Sequence, residues 1–156
     1  MGEATIRRAG DADAAVLAAL RRETAREQDG ERGDPGFEDR FAAWLARESP
    51  RRIIWLAEAG GGLVGAMNLT VFERMPRPGR APARWGYLGN AFVLAAYRSR
   101  GIGSQLLAAL LGHAREQGFA RVVLSPTERA IPFYQRAGFG PADELMVWHP
   151  SPPTSR

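Results

Sequence analysis

The stretch Tyr97-Arg98-Ser99-Arg100-Gly101-Ile102-Gly103-Ser104 carries the sharpest turn signal in this sequence. It follows an apolar run, Trp85 to Val93, that predicts a strand, and it precedes leucines at helical spacing. Its two glycines allow positive φ angles and a close approach of the backbone to a ligand. Successive N–H groups of such a turn, with a helix N-terminus behind them, favour an anion such as a diphosphate. Its arginines add positive charge at the edge of that pocket.

Two other phosphate-binding motifs do not fit this stretch. A Walker A loop ends in Gly-Lys-Ser/Thr, and this chain has no lysine, since all 21 of its basic residues are arginine. A dinucleotide-binding turn needs a third glycine near the first strand and an acidic residue after the second. A glycine pair before a helix, taken alone, also fits a plain tight turn between a strand and a helix.

The hydrophobic patterns on either side of this turn predict an α/β fold. Strands are predicted at 4–8, 53–59, 63–72, 85–93, 121–125 and 145–148. Helices are predicted at 11–26 with Asp11 as N-cap, at 37–49, from Ser104 to about Gly118, and at 130–137. The strand–helix–strand unit over 85–125 implies two parallel strands, and the earlier hairpin adds antiparallel pairs. The result is a mixed sheet with helices on both faces.

Composition limits the class of protein. A chain of 156 residues with 45% apolar residues suits one domain, predicted over 1–149, with 150–156 as a disordered tail. The chain has no cysteine and only two histidines, so no metal site is predicted. Neither a signal peptide nor a membrane-spanning run is visible, which predicts a cytoplasmic protein without a membrane partner.

Charge is distributed unevenly. Residues 1–50 hold 8 arginines and 11 acids, whereas residues 51–156 hold 13 arginines and 6 acids. This asymmetry fits an anionic ligand in the second part and a cationic one in the first, although a solvated surface gives the same pattern. A sequence pI near 10.5 raises nucleic-acid binding as an alternative. The net charge of only +4 and the lack of basic residues interleaved with aromatics argue against it.

Two motifs taken together resemble a known family. Arg98-x-x-Gly101-x-Gly103, after the strand that ends Asn90-Ala91-Phe92-Val93, resembles the acyl-CoA-binding motif of the GNAT N-acetyltransferase superfamily. Farther along, Pro132-Phe133-Tyr134-Gln135-Arg136-Ala137-Gly138-Phe139 resembles the family's Phe/Leu-Tyr-x-x-x-Gly-Phe signature. The predicted element order over 4–149 also matches the family fold. One departure is Leu94-Ala95-Ala96, where the family often has a proline near position 95.

The resemblance implies a GNAT fold, with a mixed, mostly antiparallel sheet and a parallel strand pair at the acyl-CoA site. It implies acetyl-CoA as co-substrate. Backbone groups of Phe92 and Val93 would pair with the pantetheine amides as an added strand does. Asn90 either faces the acyl or acceptor pocket or is satisfied within the sheet. The residues that would hold the CoA diphosphate are Arg98, Ser99, Arg100, Gly101, Ile102, Gly103 and Ser104.

Tyr134 matches the family tyrosine that faces the thioester sulfur. With a reference pKa of about 10, a tyrosine is protonated at neutral pH and can donate a proton to the departing thiolate. The base that deprotonates the amine is less clear, because the strand that carries a glutamate in some family members has no acid here. Glu73, Glu128 and a water relay remain candidates.

The resemblance implies that the chain is an acetyltransferase whose acceptor is an amine of a small molecule, an amino acid or a peptide. Acidic residues between the first two predicted helices form a rim that would attract a cationic amine: Glu27, Asp29, Glu31, Asp34, Glu38 and Asp39. The arginine-rich loop 74–84 has three open roles: contact with the CoA 3′-phosphate, cover for the acceptor, or part of a homodimer interface. A non-catalytic acyl-CoA-binding module on the same fold is the alternative function.

Overall fold

Five strands form one sheet in chain order, β1-β2-β3-β4-β5. The computed structural model describes residues 3–151. The strands are β1 (Thr5–Arg8), β2 (Arg52–Ala59), β3 (Gly62–Glu73), β4 (Arg84–Val93) and β5 (Val122–Leu124). The helices are α1 (Ala14–Asp29), α2 (Phe37–Glu48), α3 (Ile102–Glu116) and α4 (Ile131–Arg136). Packing divides the chain into two units, which are separated in the sequence between Leu124 and Ser125.

The sheet is mixed, which confirms the predicted fold class. β1 to β4 pair antiparallel with their neighbours, and β4 pairs parallel with β5. The parallel pair arises because the chain leaves β4, crosses through α3 and returns to the sheet in the same direction. The predicted crossover over 85–125 is therefore present.

The two faces of the sheet are covered by different helices. On one face, here called the α1 face, Ile54 and Leu56 of β2 form a buried cluster with Leu17 and Leu20 of α1. Because successive strand residues point to opposite faces, Trp55 lies on the other face, here called the α3 face. Its ring lies 5.7 Å from the ring of His113 in α3. Both helix layers bury apolar side chains that the sequence spaces at helical intervals.

Gly65 allows α3 to lie close to the sheet. A Cβ at this position would stand 3.0 Å from the Phe92 carbonyl oxygen and 3.4 Å from Leu106 Cδ1. The contact with Leu106 is ordinary van der Waals packing, whereas the approach to the Phe92 carbonyl oxygen is so tight that a larger residue would have to displace the backbone of β4. The position of α3 matters because the turn that ends at Gly101 leads directly into its N-terminus.

A buried carboxylate, Asp13, joins β1 to the start of α1. Arg7 donates to both carboxylate oxygens at 2.7 and 2.8 Å, and the Gly10 N–H donates to Oδ2 at 2.7 Å. The Arg7 hydrogen bonds, then the Gly10 hydrogen bond, lower the pKa of Asp13 to about 2. The prediction of Asp11 as N-cap is wrong, because a 3₁₀ turn at Asp11–Asp13 precedes α1 and brings Asp13 back onto Gly10.

The unit that begins at Ser125 holds α4 and no strand among its described residues, 125–151. The strand predicted at 145–148 is therefore wrong. Met146 is 99% exposed and Trp148 is 82% exposed, and the Leu145 N–H bonds only to the Ala142 carbonyl at 3.2 Å. β-propensity reflects packing against neighbouring strands, and in the described residues this apolar run has no partner strand.

Candidate functional site

β4 separates from β5 part-way along its length. The two strands pair only at Gly86, Tyr87 and Leu88, opposite Val122–Leu124. Beyond Leu88, the edge of β4 that faces away from β3 has no partner strand within residues 3–151. The backbone N–H and C=O groups on this edge are available to an extended ligand that adds itself as a strand.

A β-bulge lies just beyond the point where the strands separate. Gly89 pairs with Asn68 and Phe92 pairs with Ala66, so Asn90 and Ala91 together oppose the single residue Met67. Asn90 has a φ of +50°, a conformation that asparagine tolerates better than most residues. A bulge bends its strand and increases the local twist, which directs the end of β4 away from the line of β5.

The backbone of Val93 faces the open edge. The Leu94 N–H donates to the Val64 carbonyl at 2.8 Å, and inward and outward groups alternate along an antiparallel strand. The Val93 carbonyl consistently accepts a bond from Arg98 Nε at 2.9 Å instead of from β3. The Phe92 carbonyl lies beside Gly65 of β3. Of the two residues predicted to pair with pantetheine, Val93 directs its backbone N–H and C=O to the open edge. The backbone N–H and C=O of Phe92 face β3 instead.

The turn after β4 opens directly into α3. Ser99 and Gly101 have φ angles of +61° and +80°, and Gly101 is the residue that precedes the helix. The Gln105 N–H donates to the Gly101 carbonyl at 3.0 Å, which is the first i to i−4 bond of the helix. The N–H groups of the first turn have no acceptor within a helix, so they are directed toward an external anion.

The positive φ expected at Gly103 occurs instead at Ser99, because Gly103 already lies within α3. Gly101 has the positive φ that the sequence predicts. A Cβ built on Gly101 would have no heavy atom within 4 Å, so this side of the turn is open. Ser99 was not predicted to adopt a left-handed conformation, since serine gives no such signal in a sequence.

Two arginines flank this turn. Arg98 lies against the Phe92 ring at 5.3 Å and forms an ion pair with Glu27 at 2.6 Å. The hydrogen bond from Arg98 is the main reason that the pKa of Glu27 is lowered. Arg100 lies over the Tyr97 ring at 5.5 Å and is exposed. The positive charge predicted for this turn is present, although Arg98 is already shared with α1.

Tyr134 lies in the unit that begins at Ser125. Its side chain is buried, and its ring makes edge-on contacts with Phe133 at 5.0 Å and with Phe139 at 5.6 Å. The Phe139 N–H donates to the Tyr134 carbonyl at 3.1 Å after a left-handed turn at Gly138. Burial raises the pKa of Tyr134 above its usual value of about 10. The phenol is therefore protonated throughout the neutral range and is able to donate a proton.

The sequence model of the Acetyltransferase (GNAT) family matches residues 17–139, which is most of the chain. The chain belongs to the GNAT family. The match includes both motifs, the turn before α3 and the segment around Tyr134. Glucosamine 6-phosphate N-acetyltransferase of Trypanosoma brucei brucei is 33% identical over 86 residues, or 55% of this chain. The chain spans only 56% of that relative's length.

Solved structures share the fold over nearly the whole chain. A GCN5-related N-acetyltransferase from Ralstonia eutropha is 27% identical, with a TM-score of 0.70, and the match covers 96% of this chain and 100% of that one. A predicted acetyltransferase from Clostridium acetobutylicum, solved with acetyl-CoA, has a TM-score of 0.74 at 19% identity. The match covers 94% of this chain and 96% of that one.

The two carboxylates proposed from the sequence as GNAT bases lie on exposed turns or strand ends. Glu73 is the last residue of β3 and pairs with Arg84. Phe72 lies on the α1 face, where its ring stacks on Trp85 at 4.5 Å. Because side chains alternate along a strand, the next residue, Glu73, lies on the α3 face. Glu128 lies in an exposed 3₁₀ turn before α4. On the described strands β3 and β4, no carboxylate lies on the α1 face.

Ion pairs neutralise part of the acidic segment between α1 and α2. Glu27 pairs with Arg98, Glu38 with Arg22, and Asp34 with Arg40. Asp29, Glu31 and Asp39 are exposed. The segment therefore presents less negative charge than its sequence predicts. Among residues 3–151, no group of three or more histidine, aspartate and glutamate side chains could hold a metal ion, and no helix could cross a membrane.

Proposed function

We propose that this protein transfers the acetyl group of acetyl-CoA to a primary amine of a small molecule. The observation that carries the proposal is the continuous path from the unpaired edge of β4, through the left-handed turn at Ser99 and Gly101, to the N-terminus of α3. A pantetheine chain needs backbone partners in an extended conformation, and a diphosphate needs several N–H donors. Both lie in this order along one segment of the chain, which fits acetyl-CoA.

Most of the residues predicted to bind acetyl-CoA have a place in this proposal. The outward N–H and C=O of Val93 pair with the pantetheine amides, and the Arg98 side chain yields its bond to the Val93 carbonyl. The first-turn amides of Ile102, Gly103 and Ser104 bind the diphosphate. The open space at Gly101 lets the phosphates approach the backbone.

The reaction is a direct acyl transfer. The nitrogen of the neutral amine attacks the thioester carbonyl carbon, and the carbon–sulfur bond breaks as the amide bond forms. The nitrogen loses one proton, which passes to water since β3 and β4 offer no carboxylate on the α1 face. The CoA sulfur gains a proton, and Tyr134 is the proposed donor, because its buried phenol stays protonated at neutral pH.

A small-molecule acceptor is favoured over a peptide by the relatives. Glucosamine 6-phosphate N-acetyltransferase of Trypanosoma brucei brucei is named for a small amine. Mycothiol acetyltransferase of Corynebacterium aurimucosum is also named for a small molecule, and it is 29% identical over 110 residues. The alternative, a non-catalytic acyl-CoA-binding module, has the same binding elements but needs no protonated group at position 134.

Thermal unfolding tests the proposal. Acetyl-CoA at about 100 times its dissociation constant adds roughly 2.7 kcal/mol of stability, which raises Tm by on the order of 5–10 °C for a domain of this size. NAD and ATP at equal concentration are the comparisons. A shift with acetyl-CoA together with amine-dependent thiol release supports the transferase. A shift without thiol release supports the binding module, and no shift with acetyl-CoA rejects both.

A further inference from the structure

The α1 face of β3 and β4 carries a polar side chain whose burial the fold does not explain. Asn68 is only 5% exposed, and its Oδ1 atom is buried without a hydrogen-bond partner. Buried polar atoms in native proteins nearly always have partners, and the exceptions mark strain, function or a bound group. Asn68 stands opposite Gly89, next to the bulge at Asn90.

The neighbour of Asn68 across the ladder leaves space on the same face. Gly89 has no side chain and is partly exposed. A Cβ there would meet only the Tyr87 ring, at 3.5 Å from Cε1. Directly opposed residues point to the same face, as do residues two apart on one strand, so Asn68, Gly89 and Tyr87 share the α1 face. These three residues are here called the acceptor floor.

Tyr87 is the second feature of this floor. Its side chain is 37% exposed, although it is a large aromatic residue in the interior of β4. An exposed aromatic beside a buried unpaired acceptor offers a flat apolar surface and one hydrogen-bonding atom. This combination suits a ligand with a carbon ring and a hydroxyl group.

We infer that the acceptor amine is carried on a hydroxylated ring, which lies against Tyr87 and donates a hydroxyl hydrogen bond to Asn68. The inference rests on the proposed function, since the floor adjoins the point where β4 opens for acetyl-CoA. Asn68 stands opposite Gly89 in the ladder, so its side chain lies beside the space that Gly89 leaves open on this face. Asn68 and Tyr87 then determine acceptor specificity, and neither residue takes part in the proton transfers.

A matched pair of amines tests this inference. Glucosamine carries hydroxyl groups on its ring, and cyclohexylamine lacks them. A site built to bind a hydroxyl discriminates strongly against an analogue without one. Wild-type protein is expected to show a kcat/KM for glucosamine at least about 100-fold above that for cyclohexylamine, when both are measured by thiol release and expressed per concentration of the neutral amine. Equal values for the two amines, or turnover of neither, would overturn the inference.

Two variants test whether the acceptor floor is responsible for the preference for glucosamine. Asn68→Leu has the same number of heavy atoms and the same branch at Cγ, and it removes the orphan polar atom, so it is expected to stay folded while KM for glucosamine rises at least tenfold. Tyr87→Leu removes the flat ring from an exposed position and is expected to raise KM for glucosamine without unfolding the protein. Met67→Leu is the control, because Met67 precedes Asn68 but points to the α3 face. Unchanged KM in both floor variants would overturn the inference.

Binding of acetyl-CoA separates this inference from the proposed function. The Tm shift produced by acetyl-CoA should be the same in wild type, Asn68→Leu and Met67→Leu. If wild-type protein shows no such shift, the transferase proposal itself fails. If the shift is present and glucosamine turnover does not depend on Asn68 or Tyr87, only the assignment of the floor fails.

Discussion

Arg98 binds two parts of the candidate site at once. Its Nη1 and Nη2 atoms lie 2.6 and 2.7 Å from the two carboxylate oxygens of Glu27, and its Nε donates to the Val93 carbonyl at 2.9 Å. One side chain thus connects the last part of α1, the open edge of β4 and the turn before α3. The planar guanidinium has the fork geometry that such a double contact requires, and a lysine ammonium does not.

Replacing Arg98 tests whether it acts through this geometry or through charge alone. Arg98→Lys keeps the charge but loses the paired bonds to Glu27, and Arg98→Ala loses both. We expect both variants to weaken acetyl-CoA binding by about tenfold, or 1.4 kcal/mol, because the turn loses its anchor. Isothermal titration measures the dissociation constants. Near wild-type affinity in Arg98→Lys would show that only the positive charge of this residue matters. Glu27→Gln tests the contribution of the partner carboxylate by itself.

Gly101 offers a test of the diphosphate position. Its φ of +80° disfavours most side chains, but asparagine and aspartate tolerate this region and have nearly equal size. Gly101→Asn should bind acetyl-CoA with modestly reduced affinity. Gly101→Asp should lose binding, since a carboxylate would face the diphosphate in the space that the glycine leaves open. Equal affinities in the two variants would place the diphosphate elsewhere.

The turn and its helix could be predicted from the sequence because local signals determine them. Glycine at position 101 and the leucines of α3 act over a few residues, and both gave the observed structure. The bulge at Asn90 could not be predicted, because it depends on the register between β3 and β4, which no short pattern encodes. The orphan oxygen of Asn68 likewise becomes visible only when its neighbours across the ladder are known.

The errors have the same origin. The run Leu145–Trp148 has strand composition, but a strand also needs a partner, and composition does not say whether one is present. Asp11 has the right residue type and position for an N-cap, but Arg7 and Gly10 bind Asp13 instead. In both cases the residue type favours the predicted structure, but the partners that are present in the fold decide the outcome.

Tyr134→Phe tests the proposed proton donor. The variant keeps the ring contacts with Phe133 and Phe139 and removes only the hydroxyl group. We expect kcat to fall by 10²- to 10⁴-fold, on the order of the contribution of general acid catalysis, while acetyl-CoA affinity stays within about threefold of wild type. Stopped-flow thiol detection gives kcat, and titration gives the affinity. Phe133→Leu is the control for packing, and unchanged kcat in Tyr134→Phe would assign the proton to another donor.

Asp13 should make stability depend on acidic pH. Its pKa is lowered to about 2 in the folded protein, against about 3.9 in an unfolded chain. The carboxylate therefore stabilises the fold above about pH 4, and this contribution is lost as the pH falls toward 2. Asp13→Asn should lower the free energy of unfolding at pH 7 by roughly 1–2 kcal/mol, since the buried contacts with Arg7 lose their charge.

The same variant should approach wild-type stability as the pH falls to about 2 and below, because Asp13 then becomes protonated in the folded state as well as in the unfolded one. Urea unfolding at pH 7, 5, 4 and 3 measures the difference between the two proteins at each pH. Asp11→Asn is the matched control, since Asp11 is exposed two residues away and should cost little at any pH. A difference that stays constant from pH 7 to pH 3 would mean that Asp13 stabilises the start of α1 through shape and neutral hydrogen bonds, and that its charge contributes nothing.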